Sequence, residues 1–557
     1  MSESITESAG ATAVAEPPAP PTARPPRRRL PRPVLGALAG TVALAVAIAL
    51  VLVLAGGDAN PPPATGAAAI VPADALAYVN VSLDRGRPAV SSALRLAQRF
   101  PDYPLASAAV ASRLATVAAG GGRSVDFASQ VKPWLGSEAA MALLNTPTAT
   151  AGSLIVLAVR DQSRARAFAR GSGAVAHGSY RGTPLLVYPT GTELAFVRGF
   201  LVLGQDASVR SALDVAAGAS PSLGSAAVYR RAAATLPADR VLDAYASLAG
   251  VRRVLAPQGG IVGALGDLLY QPALQGLTVA VSPTPAGARI QVRSALDSTL
   301  TQLSGPATSP FAPTLQSVMP TGSILMFDVT GLDRVAPRVL NAGSSAGVAG
   351  GIGPLLSRLG AALSAEGVNV KELVSIFHAE TAVAIVPHAQ SPALVVVART
   401  NQPSRIAAEL AQLQIPLAQL FKSGNAGKVA LFNDRSVAGI TAHQLSLANG
   451  LEFDYAVSRG LVIISTSLQG IAAVAARQHT LARDPAFQAV LGDRAKLLTS
   501  VVFVDLVRLL GLGEQTGLTS SARFRALRPD LDKIKAIGVA STRAPGVSST
   551  QLTVRVP

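Results

Sequence analysis

The feature that most constrains the fold is an internal duplication that runs through the chain from residue 70 to its end. The run VPADALAYV at 71–79 has a counterpart in MPTGSILMF at 319–327, and GSEAAMAL at 136–143 has one in HAETAVAI at 378–385. Further matches follow in the same order: 154–160 with 394–399, 196–203 with 456–463, and 277–293 with 537–555. A repeat of this length predicts two related structural units. We place them at 70–302 and 314–557, joined by a linker at 303–313.

Each half alternates β-type runs with alanine-rich helical stretches, which predicts an α+β fold with mainly antiparallel pairing. The runs LIVLAV at 154–159 and ALVVVA at 393–398 are apolar at every position, so both should be central strands covered on two faces. In 196–203 and 456–463 two apolar runs flank an Arg-Gly pair, the pattern of a β-hairpin. Two separate domains and one continuous sheet both fit this pattern.

An uncharged apolar run of 22 residues at 34–55 precedes the duplication. At 1.5 Å of rise per residue, a helix of this length spans about 30 Å, the thickness of a bilayer core. The run predicts a single transmembrane helix, and its apolar anchor residues include Val34, Leu35, Leu44, Ile48, Leu50 and Leu54. A cleaved signal peptide is the alternative, although its apolar stretch is usually only about 7–15 residues long.

Basic residues on one side of this run predict its orientation. Residues 1–33 are rich in proline, should be disordered, and end in a cluster that includes Arg27, Arg28, Arg29 and Arg32, whereas the Pro/Gly linker at 56–69 has no basic residue. The positive-inside rule therefore places the N-terminus in the cytoplasm. We expect a single-pass protein of the plasma membrane, with its C-terminal domain outside.

Charge and composition narrow the classes of partner. The formal net charge is +16, but the basic residues are scattered through the exported part, so we do not predict nucleic-acid binding. A solvated basic surface explains this charge, and attraction to anionic lipid or wall polymer is the alternative. The chain has no cysteine, which excludes disulfides and thiolate chemistry. No particular protein partner is indicated.

Motifs for catalysis or cofactors are weak. The G-x-S-x-G match at 343–347 continues into a glycine-rich run rather than a helix, and 424–428 (GNAGK) lacks the spacing of a phosphate-binding loop. His378, Glu380 and His388 are close in sequence and could ligate a metal, but the first repeat keeps only the carboxylate, as Glu138. We therefore predict no catalytic residue, metal or cofactor.

Glu138 and Glu380 remain the candidate functional residues because the duplication preserves both. The alternative is a structural carboxylate at the entrance of a strand, satisfied by backbone N–H groups or by an arginine.

Three segments resemble a known family. They are VPADALAYVNVSLD at 71–84, PWLGSEAAMA at 133–142 and GFLVLG at 199–204, and they resemble the bacterial envelope family known as domain of unknown function 3352. The resemblance implies an anchored, exported protein and supplies no reaction, ligand or catalytic residue.

The leading functional hypothesis is a non-catalytic binding or scaffolding protein of the cell envelope. A carrier or chaperone for lipid or other apolar ligands is an alternative, since two Ala-, Val- and Leu-rich halves could enclose an apolar cavity. An envelope hydrolase is a further alternative and would need acid or nucleophile groups that converge in one cleft.

Overall fold

The structure, a computed structural model, describes residues 61–122, 124–145, 152–255, 273–303, 309–333, 376–388, 392–420, 431–446, 452–515 and 521–557. Within these ranges no helix combines the length and the apolarity that crossing a bilayer requires. The predicted span at 34–55, the arginine cluster before it and the motifs at 343–347 and 424–428 lie outside the described residues.

Within its described residues the first repeat forms ten strands and five helices of seven or more residues. In chain order they are β1 (Ala77–Ser82), α1 (Pro88–Ala97), α2 (Tyr103–Ala118), β2 (Leu135–Leu144), β3 (Gly152–Val159), α3 (Gln162–Gly171), β4 (Val175–Tyr180), β5 (Thr183–Val187), β6 (Glu193–Val197), β7 (Phe200–Gly204), α4 (Asp206–Ala216), α5 (Ala227–Ala233), β8 (Leu242–Ser247), β9 (Leu274–Thr284) and β10 (Gly287–Leu296). A short helix, α6 (Ser298–Leu303), follows β10.

The second repeat supplies ten more strands. Its elements are β11 (Leu325–Thr330), β12 (Glu380–Val386), β13 (Ala393–Arg399), α7 (Pro403–Leu420), β14 (Phe432–Val437), β15 (Ile440–Ser446), β16 (Glu452–Ser458), β17 (Leu461–Ser465), α8 (Leu468–Ala476), α9 (Pro485–Leu491), β18 (Ser500–Asp505), α10 (Leu506–Gln515), α11 (Ala522–Leu531), β19 (Ala536–Ala544) and β20 (Val547–Arg555).

All twenty strands belong to one sheet, and every pairing between them is antiparallel. The spatial order is β4-β5-β6-β7-β3-β2-β1-β8-β9-β10-β20-β19-β18-β11-β12-β13-β17-β16-β15-β14. The order within the second repeat is the reverse of that in the first, element for element. The mixed fold with a large antiparallel sheet is thus confirmed.

The two repeats meet where β10 pairs with β20. Gln291 lies opposite Gln551, Gly287 opposite Arg555, and Ala295 opposite Val547, so the register is symmetric about the two glutamines. Of the two arrangements that the sequence allowed, the structure has the continuous sheet.

Helices cover both faces of the central strands, as the apolar runs predict. On β3, Leu154 and Val156 pack with Val209 of α4, while Leu157 belongs to the core that includes Ala165 of α3. The predicted hairpins are also present, as β6–β7 and β16–β17. Their Arg-Gly turns have positive φ at both residues, 48° and 81° in the first hairpin, which is the conformation of a type I′ turn.

Candidate functional site

Glu138 lies near the start of β2, opposite Ser82 on β1, and its side chain is buried. Its carboxylate accepts hydrogen bonds from the backbone N–H groups of Gly66, at 3.1 Å, and of Ala67. Burial raises the pKa of Glu138, and these two donors oppose that rise because they stabilise the charged form. Glu138 therefore anchors the chain segment that precedes the first strand.

Glu380, the first residue of β12, does the same in the second repeat. Its carboxylate accepts hydrogen bonds from the N–H and hydroxyl groups of Thr314 and from the Leu315 N–H at 2.8 Å. Arg399 Nε adds an ion pair at 3.0 Å. Both glutamates thus bind a short helical turn that precedes the first strand of their half, at Gly66–Ala69 and Leu315–Ser317.

The structure does not bring the two glutamates together. Eight strands lie between β2 and β12 in the sheet order, so Glu138 and Glu380 do not form one acid pair. Each contact is the structural alternative that the sequence left open, a carboxylate satisfied by backbone donors.

The structure describes the predicted linker at 56–69 from residue 61 onward. Residues 61–69 dock on the sheet because three polar side chains bind their backbone. Glu138 holds the helical turn, Asn80 Nδ2 donates to the Ala64 carbonyl at 2.9 Å, and Arg87 Nε donates to the Pro61 carbonyl at 3.0 Å.

Each glutamate has a second buried acid as an electrostatic neighbour. In the first repeat, Asp243 pairs with Asn80 across β8 and β1 and forms an ion pair with Arg240 at 3.0 Å. Burial raises the pKa of Asp243, while Arg240 lowers it. Asp243 therefore has a cation and an amide beside it in the protein interior.

In the second repeat the buried acid is Asp328 on β11. It lies at the position that is equivalent to Asn80 on β1. Its side chain is 0% exposed, and neither carboxyl oxygen accepts a hydrogen bond from the part of the chain that the structure describes. Burial, followed by the neighbouring charge of Glu380, raises the pKa of Asp328 to about 8, and Arg494 and Arg399 oppose that rise. At neutral pH this carboxyl group is therefore mostly protonated.

A second pair of buried acids lies at equivalent places on β6 and β16. The Glu193 carboxylate lies 2.7 Å from His177 Nδ1, and burial raises the pKa of Glu193. Among the described residues neither carboxyl oxygen of Asp454 has a hydrogen-bond donor, and burial, followed by the adjacent Glu452, raises the pKa of Asp454 to about 7. Glu452 also accepts a hydrogen bond from the Leu468 N–H at the start of α8, at 3.4 Å.

Metal ligation was considered for His378, Glu380 and His388. Among the residues that the structure describes, no group of three or more His, Asp or Glu side chains is arranged to hold a metal ion. Glu380 is instead engaged by Thr314, Leu315 and Arg399.

The feature that sequence reasoning missed is a cavity of about 300 Å³ at the junction of the two repeats. Its floor consists of two rows of side chains that cross β10, β20 and β19. One row is Arg293, Ser549 and Thr542, and the other is Gln291, Gln551 and Ala540. Arg494 and Leu498, from the segment between α9 and β18, form a wall.

One local signal of this cavity exists in the sequence. Arg289, Gln291 and Arg293 alternate along β10, which marks one face of that strand as polar. The other floor strands lie roughly 250 residues further along the chain, so no local pattern could show that they complete a cavity.

The chain belongs to the family described as "Protein of unknown function (DUF3352)", which matches residues 35–556. The resemblance seen in the sequence is thereby confirmed. No curated protein matches the chain. A solved structure described as "Structure of crystal form III of TP0453" is similar with a TM-score of 0.24 and 9% sequence identity, over 44% of this chain and 88% of that one.

Proposed function

We propose that this chain is a membrane-anchored, extracytoplasmic binding protein of the cell envelope, with the junction of its repeats as the binding surface. The observation that carries the proposal is the junction cavity, where polar side chains of both repeats converge on one continuous sheet. Concave sites with a few convergent polar groups are the usual form of a ligand pocket.

Anchoring and export are supported by the sequence. The apolar run at 34–55 is long enough to span a bilayer, and the arginines before it favour a cytoplasmic N-terminus. We therefore expect the folded part of the chain, from residue 61 onward, to lie outside the cytoplasm.

The two alternatives have less support. A carrier of apolar ligands calls for an apolar cavity, whereas five of the six floor side chains of the junction cavity are Arg, Gln, Ser or Thr, and its apolar lining residues are mostly alanine. A hydrolase calls for converging acids, whereas Glu138 and Glu380 each bind a backbone turn of their own repeat.

The absence of cysteine from the chain makes its topology directly testable. We expect Leu105→Cys, at an exposed position of α2, to react with a membrane-impermeant maleimide in intact cells. Ser8→Cys, in the predicted cytoplasmic tail, is the matched control and should react only after lysis. Labelling of Ser8→Cys alone in intact cells would contradict the proposed orientation.

Binding is tested by native mass spectrometry of the full chain, purified in detergent from its own membrane fraction and subjected to lipid extraction. A co-purifying molecule in a fixed ratio to the chain supports the binding function. A chain that carries no ligand, and that gains none when membrane extract is added back, contradicts it.

A further inference from the structure

The junction cavity is cationic. Arg293 rises from its floor, Arg494 lies in its wall, and none of its lining residues is acidic. Neither arginine forms an ion pair within the part of the chain that the structure describes. The two guanidinium groups therefore have no counter-charge among the lining residues of the cavity.

Arg293 lacks a partner altogether among the described residues. The side chain is half-buried on β10, and its Nε–H is shielded from solvent with no acceptor. Burial lowers the pKa of Arg293, because the charged form loses hydration and gains nothing in return. An unsatisfied, partly buried donor in a native protein calls for an explanation, and a missing ligand is one.

Arg494 is held in place before any ligand binds. Its Nη1 donates to the Leu491 carbonyl at 2.7 Å, and its guanidinium group stacks 5.4 Å from the ring centre of Phe487. A group that is already ordered loses little entropy when it binds, which favours affinity.

The equivalent place on the other side of the junction differs. On that side, Thr553 of β20 occupies the position that is equivalent to Arg293, and it pairs with Arg289 of β10. An acid is also present: Asp239 accepts a hydrogen bond from Ser282 at 2.9 Å, and Ser282 pairs with Arg289 across β9 and β10. Arg289 Nε likewise lacks an acceptor among the described residues, so the two sides differ in Arg494 and in the lining of the junction cavity, which includes no acid.

We propose that the junction cavity binds a phosphate-type oxyanion, with Arg293 and Arg494 as its cationic ligands and Gln291, Ser549 and Gln551 as further polar contacts. The oxyanion belongs to a lipid headgroup or to a soluble phosphate ester. Guanidinium groups match this chemistry because their N–H donors fit two oxygens of one phosphate. The cavity volume of about 300 Å³ lies at the lower end of the range of small-molecule pockets. This inference rests on the proposed binding function and specifies its ligand class.

The test is isothermal titration of the full chain in uncharged detergent, at constant ionic strength set with chloride. The probes are inorganic phosphate, glycerol 3-phosphate and dihexanoyl phosphatidylglycerol, with dihexanoylglycerol as the phosphate-free comparison. We expect saturable binding of at least one phosphate probe and none of dihexanoylglycerol. Binding of phosphatidylglycerol alone identifies the lipid as the source of the oxyanion, and binding of the two small probes identifies a soluble ester.

Matched variants locate the site. Arg293→Gln and Arg494→Gln should each raise Kd about 10- to 100-fold, the loss expected for one charge-assisted hydrogen bond. Arg289→Gln removes the same charge from the same strand and face but lies outside the cavity, so its Kd should stay within about 2-fold of the unchanged chain. Circular dichroism of each variant confirms that it folds.

Two results overturn the inference: no probe binds, or Arg289→Gln weakens binding as much as Arg293→Gln does. The second result would show general attraction to a basic surface. The binding function itself is judged separately. If native mass spectrometry finds a co-purified ligand that Arg293→Gln does not displace, the chain is a binding protein and only the oxyanion assignment fails.

Discussion

A carboxyl group in the interior of a sheet, without a donor, has to be protonated or to carry an uncompensated charge. Asp328 is such a group, with a pKa near 8, whereas its counterpart Asn80 is an amide that is neutral at every pH. In the unfolded chain an aspartate titrates near pH 4. Between these two values the folded chain binds more protons than the unfolded one.

The sign of the pH dependence follows from this difference. The contribution of Asp328 to stability is fully present below about pH 4 and is lost as the pH rises through about 8, because the carboxyl group ionises freely in the unfolded chain but stays protonated in the folded one. Asp328→Asn should therefore raise the free energy of unfolding by about 2–5 kcal/mol at pH 8 and by less than about 1 kcal/mol at pH 4.

Urea denaturation of both chains at pH 4, 6 and 8 measures this effect. The difference between the chains isolates Asp328 from other titrating groups such as Asp454. Asn80→Asp, the reverse change at the equivalent place, should make the chain less stable at high pH. Parallel pH profiles of the unchanged chain and of Asp328→Asn would contradict the assignment.

At the scale of elements, the segment 61–69 is an integral part of the first repeat. Ala67 and Ala68 are buried, and the Gly66 and Ala67 N–H groups are the donors to the Glu138 carboxylate. A chain that begins at residue 70 should therefore be less stable than one that begins at residue 61, by about 3 kcal/mol or more, since Glu138 is left buried without donors.

A double-mutant cycle on thermal or urea unfolding checks the cause. Glu138→Gln should cost about 1–3 kcal/mol in the chain that begins at residue 61 and much less in the shorter chain, because its partners are already gone there. Equal losses in both chains would mean that the segment stabilises the fold independently of Glu138.

Elements whose signal is local could be predicted from the sequence. The Arg198-Gly199 turn and the apolar strand at 154–159 depend on a few adjacent residues, and both are present. The docking of 61–69 was missed because alanine, proline and glycine resemble a linker and the residue that holds them, Glu138, lies about 70 positions away. Glu138 and Glu380 lie at equivalent places in the two repeats, yet their hydrogen bonds involve residues that no pattern in their own strands indicates.

At the scale of the whole molecule, the β10–β20 pairing joins the repeats into one sheet, so they should unfold together. Gln551→Pro tests this, because β20 has neighbours on both edges and proline removes a ladder hydrogen bond. We expect the variant to lose about 3 kcal/mol and to unfold in two steps.

The single tryptophan makes the steps distinguishable. Trp134 is buried in the first repeat, so its fluorescence reports on that repeat alone, while far-UV circular dichroism reports on both. The two transitions should coincide in the unchanged chain and in Gln551→Ala, and separate in Gln551→Pro. Separate transitions in the unchanged chain would show that the junction does not couple the repeats.

The symmetric register of β10 with β20 is the geometry by which two identical subunits would meet across the two-fold axis of a homodimer. In a homodimer every substitution occurs twice, so an arginine in one half of the interface appears in the other. In a single chain this constraint is absent, and the halves differ in sequence. Arg293 is equivalent to Thr553, and Asp328 is equivalent to Asn80. An internally symmetric frame can thus carry a single asymmetric site, with a stoichiometry of one ligand per chain.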